Sequence, residues 1–448
     1  MAQENNPTIA FKRKIQSYIE SYLTEGSDQV LVLDGARQVG KTFIVRHIGR
    51  RLFRNFIEIN MEEDAMSHRL FAEVRTKTDF YLALGIVDGE HMGSKEDTLV
   101  FIDEIQRYEH LLTLLKFLKD DDRFTYIASG SLLGVTLRLT PSIPLGSIDI
   151  QRIYPLDFEE FLWANGVSEE LVGHLRTLFR QRRSLSEAMH LKLMDLFKKY
   201  LLIGGLPGAV SSFVGETNIS KVRNIQRQIY DLYQVDAARY EDSRGKLKVR
   251  RIYEMIPSNL ENKKKRVVAK DIEGQTGKRM AGYRDEFDYL TSAGVALEVK
   301  AISKPSYPLI QNSGKNLLKL YLNDVGIFTA LLFGLNIKPI MNDIRSINLG
   351  AVYETVTAQE LQAHGHKLYY FDSKKVGEVD YLIDDCDTLS VVPIEVKSGR
   401  DYSIHSAINN LLNIEEYGIK QAYVVSNERE VQVKGAIVYI PIYYIMFL

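Results

Sequence analysis

A single cysteine, Cys386, in 448 residues leaves no partner for an internal disulfide and no set for a cysteine-based zinc cluster. That scarcity fits a reducing compartment. Neither sign of charge dominates: 57 Lys and Arg stand against 58 Asp and Glu, a net charge of −1. The strong basic excess of a constitutive nucleic-acid coat protein is missing, so any contact with DNA or RNA has to rest on a local patch. No apolar run approaches the ~18 residues that span a bilayer. The most apolar tail, from Ile437 to Leu448, is too short and is interrupted by Pro441, and it reads as a last buried strand. The opening MAQENNPTIAFKRK has no apolar core of a secretory signal. The expectation is a soluble cytoplasmic protein without a membrane partner. Repeats and low-complexity segments are absent as well.

The chain does have the composition of a globular protein, 45% hydrophobic and 26% charged, and the length of roughly three domains. Between about residues 10 and 160, short apolar runs alternate with helical spacing. Val30–Leu33, Phe56–Ile59, Leu99–Ile102 and Tyr126–Ala128 read as buried parallel strands. That alternation predicts an α/β sheet with helices on both faces. Asp157, with Glu160 three residues later, predicts a capped helix start after Pro155. From about 165 the pattern is mostly helical, broken sharply at Gly204-Gly205-Leu206-Pro207-Gly208. Helices near Arg251–Leu260 and Tyr283–Leu290, then a strand from Val295, predict a winged helix. An αβ pattern returns from about Asn348. The predicted division is an α/β domain over 1–165, a helical and winged-helix-like region over 166–345, and a last α/β domain over 346–448.

Gly35-Ala36-Arg37-Gln38-Val39-Gly40-Lys41-Thr42 fits G-x-x-x-x-G-K-[ST] and lies between an apolar strand and a helix, the context in which the pattern works as a phosphate loop. Its backbone N–H groups would face phosphate oxygens, aided by the helix N-terminus. Lys41 would reach the β- and γ-phosphates of ATP, and the Thr42 hydroxyl would ligate Mg²⁺. The strand Leu99–Ile102 ends in Asp103 and Glu104, at the sheet edge where ligands bind. Asp103 would hold the magnesium, and Glu104 would activate the attacking water. The next strand closes on Ser129-Gly130-Ser131, where either serine has the position of a γ-phosphate sensor or of an ordinary turn.

With LDGARQVGKT, VFIDEIQ, SGS and YPLDFEEFLWANG, the first ~165 residues resemble the AAA-type ATPase domain of a large prokaryotic family of uncharacterised ATPases. KLYLNDVGIFTALL and IEVKSG resemble the domain of unknown function that accompanies it. The resemblance implies a P-loop NTPase fold, ATP hydrolysis and a tendency to form rings. Relatives carry an arginine after a glycine before the YPL string, where this chain reads Pro144-Leu145-Gly146-Ser147. No arginine finger is assignable there, and Arg138 and Arg152 are merely nearby.

A second set of acids comes late. Glu395 and Lys397 alternate with apolar residues and so share a face of a strand, with Asp380 on the preceding strand. An Asp followed by E-x-K resembles the metal-binding pattern of restriction-endonuclease-like folds, and Glu354 on the preceding helix would complete it. Hard Mg²⁺ suits such carboxylates, and a lysine would stabilise charge as a phosphodiester is cleaved. The basic run Lys263-Lys264-Lys265-Arg266 would grip phosphates, but Glu261, Asp271, Glu273, Asp285, Glu286 and Asp288 surround it in sequence. Packing or a protein partner is the favoured reading there. The expected function is an ATPase coupled to a nuclease-like domain acting on DNA or RNA. The alternative is an ATP-gated binding or regulatory module without cleavage.

Overall fold

A computed structural model of the chain describes residues 11–139, 146–237, 243–262, 265–273, 280–313, 317–342, 344, 347–398 and 405–448. Pro144, Leu145, Lys263 and Lys264 lie outside the described residues, as does the side chain of Arg138. The chain forms two compact units, Met1–Tyr154 with Ser292–Gly294, and Pro155–Thr291 with Val295–Leu448. Among the described residues no helix is long and apolar enough to cross a membrane.

The first unit is built on five strands: β1 (Val30–Asp34), β2 (Asn55–Asn60), β3 (Thr98–Asp103), β4 (Thr125–Gly130) and β5 (Ile148–Arg152). They pair in the order β2-β3-β4-β1-β5, every pair parallel. A parallel sheet covered on both faces needs strands that are apolar throughout, and β1 and β3 are buried at every position. The helix Glu109–Asp121 contributes Leu111, Leu112, Leu114, Leu115 and Leu118 to the core beside them. Because the strands run the same way, the loop after β1 and the ends of β3 and β4 meet at one edge of the sheet. That edge is where a ligand binds in such folds.

The second unit opens with helices Phe158–Ala164, Glu169–Arg180, Glu187–Ile203, Pro207–Glu216, Ile219–Ala237 and Ser243–Glu261. Its sheet contains β6 (Ala296–Ala301), β7 (Leu318–Leu322), β8 (Tyr369–Ser373), β9 (Gly377–Asp385), β10 (Ser390–Val396), β11 (Ala422–Ser426), β12 (Gln432–Lys434) and β13 (Ile437–Pro441). Their order is β12-β13-β11-β10-β9-β8-β6-β7, with parallel and antiparallel pairs mixed. The chain is therefore α/β overall: a parallel sheet, a helical middle and a mixed C-terminal sheet. The apolar tail is a strand only as far as Pro441, after which Ile442–Phe447 winds into a 3₁₀ helix. A proline has no N–H for the ladder, so the strand ends there.

The motifs that carried the resemblance in this unit do structural work. Asp157 caps Phe158–Ala164 in a reciprocal box with Glu160. Leu156 N donates to Gly205 O at 2.7 Å, and a Cβ on Gly205 would stand 1.9 Å from Leu156 O, so only glycine fits. Buried Asp324 caps the helix Val325–Phe333 and also accepts from Gly205 N at 2.7 Å. The PLDFEEFL, GGLPG and KLYLNDVG strings, far apart in sequence, thus close on one another at Gly205, whose carbonyl accepts from the Leu156 amide and whose amide donates to the Asp324 carboxylate.

Candidate nucleotide site and a second carboxylate cluster

Gly40 sits at φ 97°, a left-handed conformation open to glycine, and starts the helix Lys41–Leu52. Lys41 is buried, and its Nζ donates to the carbonyls of Gly35 at 2.7 Å and Ala36 at 2.8 Å. Burial lowers its pKa, opposed by the charges of Glu104, Asp34 and Asp103. The loop is braced at Val39 by Arg13, whose guanidinium donates to Val39 O at 3.0 Å and Tyr154 O at 2.8 Å. Arg152, one of the two arginines near the missing finger position, is engaged with buried Asp34 at 2.8 Å.

Thr42 Oγ1 donates to Asp103 Oδ2 at 2.8 Å, and Ser129 Oγ donates to Asp103 Oδ1. The strand order explains this meeting, since β4 lies between β1 and β3 and carries Ser129 to the end of both. Burial raises the pKa of Asp103, against the hydrogen bonds from Ser129 and Thr42. Glu104 takes a left-handed φ of 53°, a conformation uncommon for a residue with a side chain and characteristic of strained functional positions. Its carboxylate accepts from Gln106 and, at 2.8 Å, from Ser131 Oγ. Burial pushes its pKa up, but those bonds and the charges of Lys41 and Arg37 outweigh it and hold Glu104 below its ordinary value. Arg37 Nε lies 3.5 Å from Ser131 Oγ.

Every residue expected at the loop is thereby placed at one sheet edge: Gly35 through Thr42, Asp103, Glu104 and Ser129. A hydroxyl and a carboxylate in contact form the hard oxygen set that suits Mg²⁺, so the residues present fit that ion. Sequence reasoning missed Gln106 and Arg13. Gln106 stood within VFIDEIQ as a polar residue just past the acids, whereas Arg13 carried no local signal.

The late acids also come together, in the second unit. Glu395 accepts from Lys397 Nζ at 2.8 Å, while its other oxygen, Oε2, is buried without a hydrogen-bond partner. Asp380 Oδ2 accepts from Val396 N at 2.9 Å. Burial drives the Asp380 pKa well up, reinforced by Glu395 and Glu354 and opposed by Lys319. Glu395 is likewise raised by burial, with Lys397 opposing. Glu354 accepts from Lys265 and, at 2.9 Å, from Tyr321. Lys319, fully buried on β7, pairs with Glu378 Oε1 at 2.6 Å. Arg266 pairs with Asp372 and lies 3.7 Å from Glu378. Among the described residues no three His, Cys, Asp or Glu side chains are arranged to hold a metal ion. Lys319, Glu378, Lys265 and Arg266 are the members that sequence reasoning missed here. The available signal was a lysine inside an otherwise apolar strand, Leu318-Lys319-Leu320-Tyr321-Leu322.

Residues 27–162 match a family described as AAA domain. Residues 194–339 and 349–445 match two families described as domains of unknown function, DUF8612 and DUF4143. The KLYLNDVG string falls in the middle region and IEVKSG in the last, so two such domains follow the first where the sequence suggested one. No curated protein matches the chain. Among solved structures, it is similar to a Walker-type ATPase of Pyrococcus abyssi at 14% identity, covering 74% of this chain and 99% of that one, TM-score 0.43. A second is PCH-2 of C. elegans, at 10% identity with 64% and 70% covered and a TM-score of 0.28. A third is a RuvB variant of Thermotoga maritima, at 16% identity with 66% and 89% covered and a TM-score of 0.28. The phosphate-loop motif, the paired acids and the parallel sheet all lie within residues 27–162, the stretch that matches the AAA-domain family.

Proposed function

We propose that this protein hydrolyses ATP at the edge of the first sheet and couples the hydrolysis to its C-terminal region, with DNA or RNA as the substrate class of that region. The observation that carries the first half is the contact of Thr42 Oγ1 with Asp103 Oδ2 at 2.8 Å. It joins the phosphate loop to the acid-bearing strand. Amides of Gly35 through Thr42 bind the phosphates, Lys41 exchanges loop carbonyls for the β- and γ-phosphates, and Ser129 senses the γ-phosphate. Thr42 and Asp103 would hold Mg²⁺, which when bound neutralises phosphate charge. Glu104, kept ionised by Gln106 and Ser131, accepts a proton from the attacking water. In this reading 1–165 performs the ATP chemistry, 166–345 includes the winged-helix-like part, and 346–448 is the nuclease-like part. Its metal would bind Asp380, Glu395 and Glu354, with Lys397 stabilising charge; the partnerless Oε2 of Glu395 is the feature that fits a cation there.

The second reading, an ATP-gated binding or regulatory module without cleavage, is favoured by the lysines on Glu354 and Glu395 and by the lack of a ready three-ligand set among the described residues. Both readings accommodate a homo-oligomer or a protein partner. ATP turnover and plasmid or branched-DNA cleavage with Mg²⁺ or Mn²⁺ separate the claims. Glu104→Gln should retain ATP binding and lose about 10²–10⁴ in turnover; full turnover in that variant would overturn the ATPase assignment. Cleavage lost in both Asp380→Ala and Lys397→Ala supports the nuclease. Intact ATPase activity with no cleavage under either metal selects the module.

A further inference from the structure

Arg37 lies inside the phosphate loop, two residues after Gly35, at a position where the loop pattern accepts any residue. The backbone on either side of it is fixed. A Cβ on Gly35 would stand 2.3 Å from Ile153 O, and Gln38 takes a left-handed φ of 65°. From this turn the Arg37 side chain reaches the end of β4, where its Nε lies 3.5 Å from Ser131 Oγ, across 94 positions of sequence. That serine donates at 2.8 Å to Oε2 of Glu104, the same oxygen that accepts from Gln106. The guanidinium thus stands one hydroxyl away from the acid read as the proton acceptor. Its charge is felt on both sides of the site. Burial is the largest influence on Lys41, which it lowers, and on Glu104, which it raises, and the Arg37 charge lowers both. Arg152 and Arg46 of the same unit are committed to carboxylates, to Asp34 at 2.8 Å and to Glu58 at 2.7 Å.

We infer that Arg37 is a catalytic residue of its own chain's ATP site, turning from Ser131 to the γ-phosphate oxygens as the phosphoryl group is transferred. This rests on the ATPase reading of Lys41, Asp103 and Glu104. A γ-phosphate held by Lys41 and attacked by a water on Glu104 lies between those two groups, and Arg37 is the cation that acts on both. In the step itself, the water oxygen bonds to the γ-phosphorus while the bond to the β,γ-bridging oxygen breaks. The bridging oxygen keeps the electron pair and leaves with ADP, and the water proton passes to Glu104. Charge is then spread over the γ-phosphate oxygens, and a planar guanidinium answers two of them at once. A contact made only as that charge moves speeds turnover without tightening the binding of ATP. Arg37 in this way does from within the loop what no arginine before the YPL string is placed to do.

The test compares wild type with Arg37→Ala and Arg37→Gln in three measurements: single-turnover hydrolysis, titration with a non-hydrolysable ATP analogue, and titration with ADP plus aluminium fluoride, a mimic of the phosphoryl group in transfer. Both variants are expected to bind the analogue within about threefold of wild type and to lose about 10³ in turnover. Their affinity for ADP with aluminium fluoride should fall by about tenfold or more. An equimolar mixture of Arg37→Ala with Lys41→Ala should stay inactive, because neither chain carries a whole site. Turnover restored in that mixture overturns the assignment of Arg37 to its own chain's site. Wild-type turnover in both Arg37 variants, or a loss of analogue binding as large as the loss of turnover, overturns the proposal and leaves the ATPase reading standing. Turnover that survives undiminished in Lys41→Ala and Glu104→Gln overturns that reading and the proposal together.

Discussion

Asp103 closes β3 and Glu395 stands one residue before the end of β10, yet the two acids are satisfied in opposite ways. Around Asp103 the donors are neutral: the hydroxyls of Thr42 and Ser129 and the amide of Glu104. Glu104 is likewise held by an amide side chain and a hydroxyl. In the C-terminal cluster the donors to Glu354 and Glu395 include Lys265 and Lys397, and Glu378 is paired with Lys319. A neutral donor fixes the place of a carboxylate without cancelling its charge, whereas an ammonium does both. The first arrangement keeps its negative charge for a ligand, and the second has already answered much of its own.

The comparison can be broken most forcefully at Lys319. Lys319→Met leaves Glu378, Asp380 and Glu395 short of a buried counter-charge, and breaking such a pair costs about 3–5 kcal/mol. Denaturant unfolding should register that loss, and a stability within about 1 kcal/mol of wild type would show that the cluster does not depend on its cations. Next in size is Lys41→Ala, for which titration of ATP should show affinity weaker by about 100-fold, the scale of a lost charge-assisted contact. Thr42→Ala removes one neutral donor from Asp103. Its cost in stability should be only about 1 kcal/mol, while the Mg²⁺ requirement for ATP binding should rise clearly.

A further test concerns a third acid held by neutral donors. Burial raises Asp324 from 3.8 to about 6, against the backbone N–H groups of Gly205 and Ile327. The folded state therefore binds the Asp324 proton more tightly than the unfolded chain does. The stability from this group is full below about pH 4 and is lost as pH rises through about 6. Asp324→Asn should flatten that part of the pH–stability curve, and an unchanged slope between pH 4 and 6 would remove Asp324 as its source.

Much of the first site was legible because its parts are local. The glycines, Lys41 and Thr42 occupy one turn, and Asp103 and Glu104 end one apolar run. Fixed spacing on a strand or at a helix start dictates which way such residues face. Likewise, the helix cap at Asp157 with Glu160 was readable because a capping box spans four residues. The braces were not legible. Arg13 reaches Val39 across 26 positions, and Arg152 reaches Asp34 across 118.

By itself, then, the amino-acid order determined the α/β character, the strand-loop-helix that forms the phosphate loop, and the pair of acids placed to face it. These depend on periods of two and 3.6 residues and on backbone geometry that glycine alone permits. Only the tertiary structure decided which cations answer which carboxylates, and hence that Glu354 meets Lys265 and that Lys319 lies beneath Glu378. Charge pairing is set by distance in space, and the strand order β9-β8-β6-β7 that brings these groups together is not written in any local pattern.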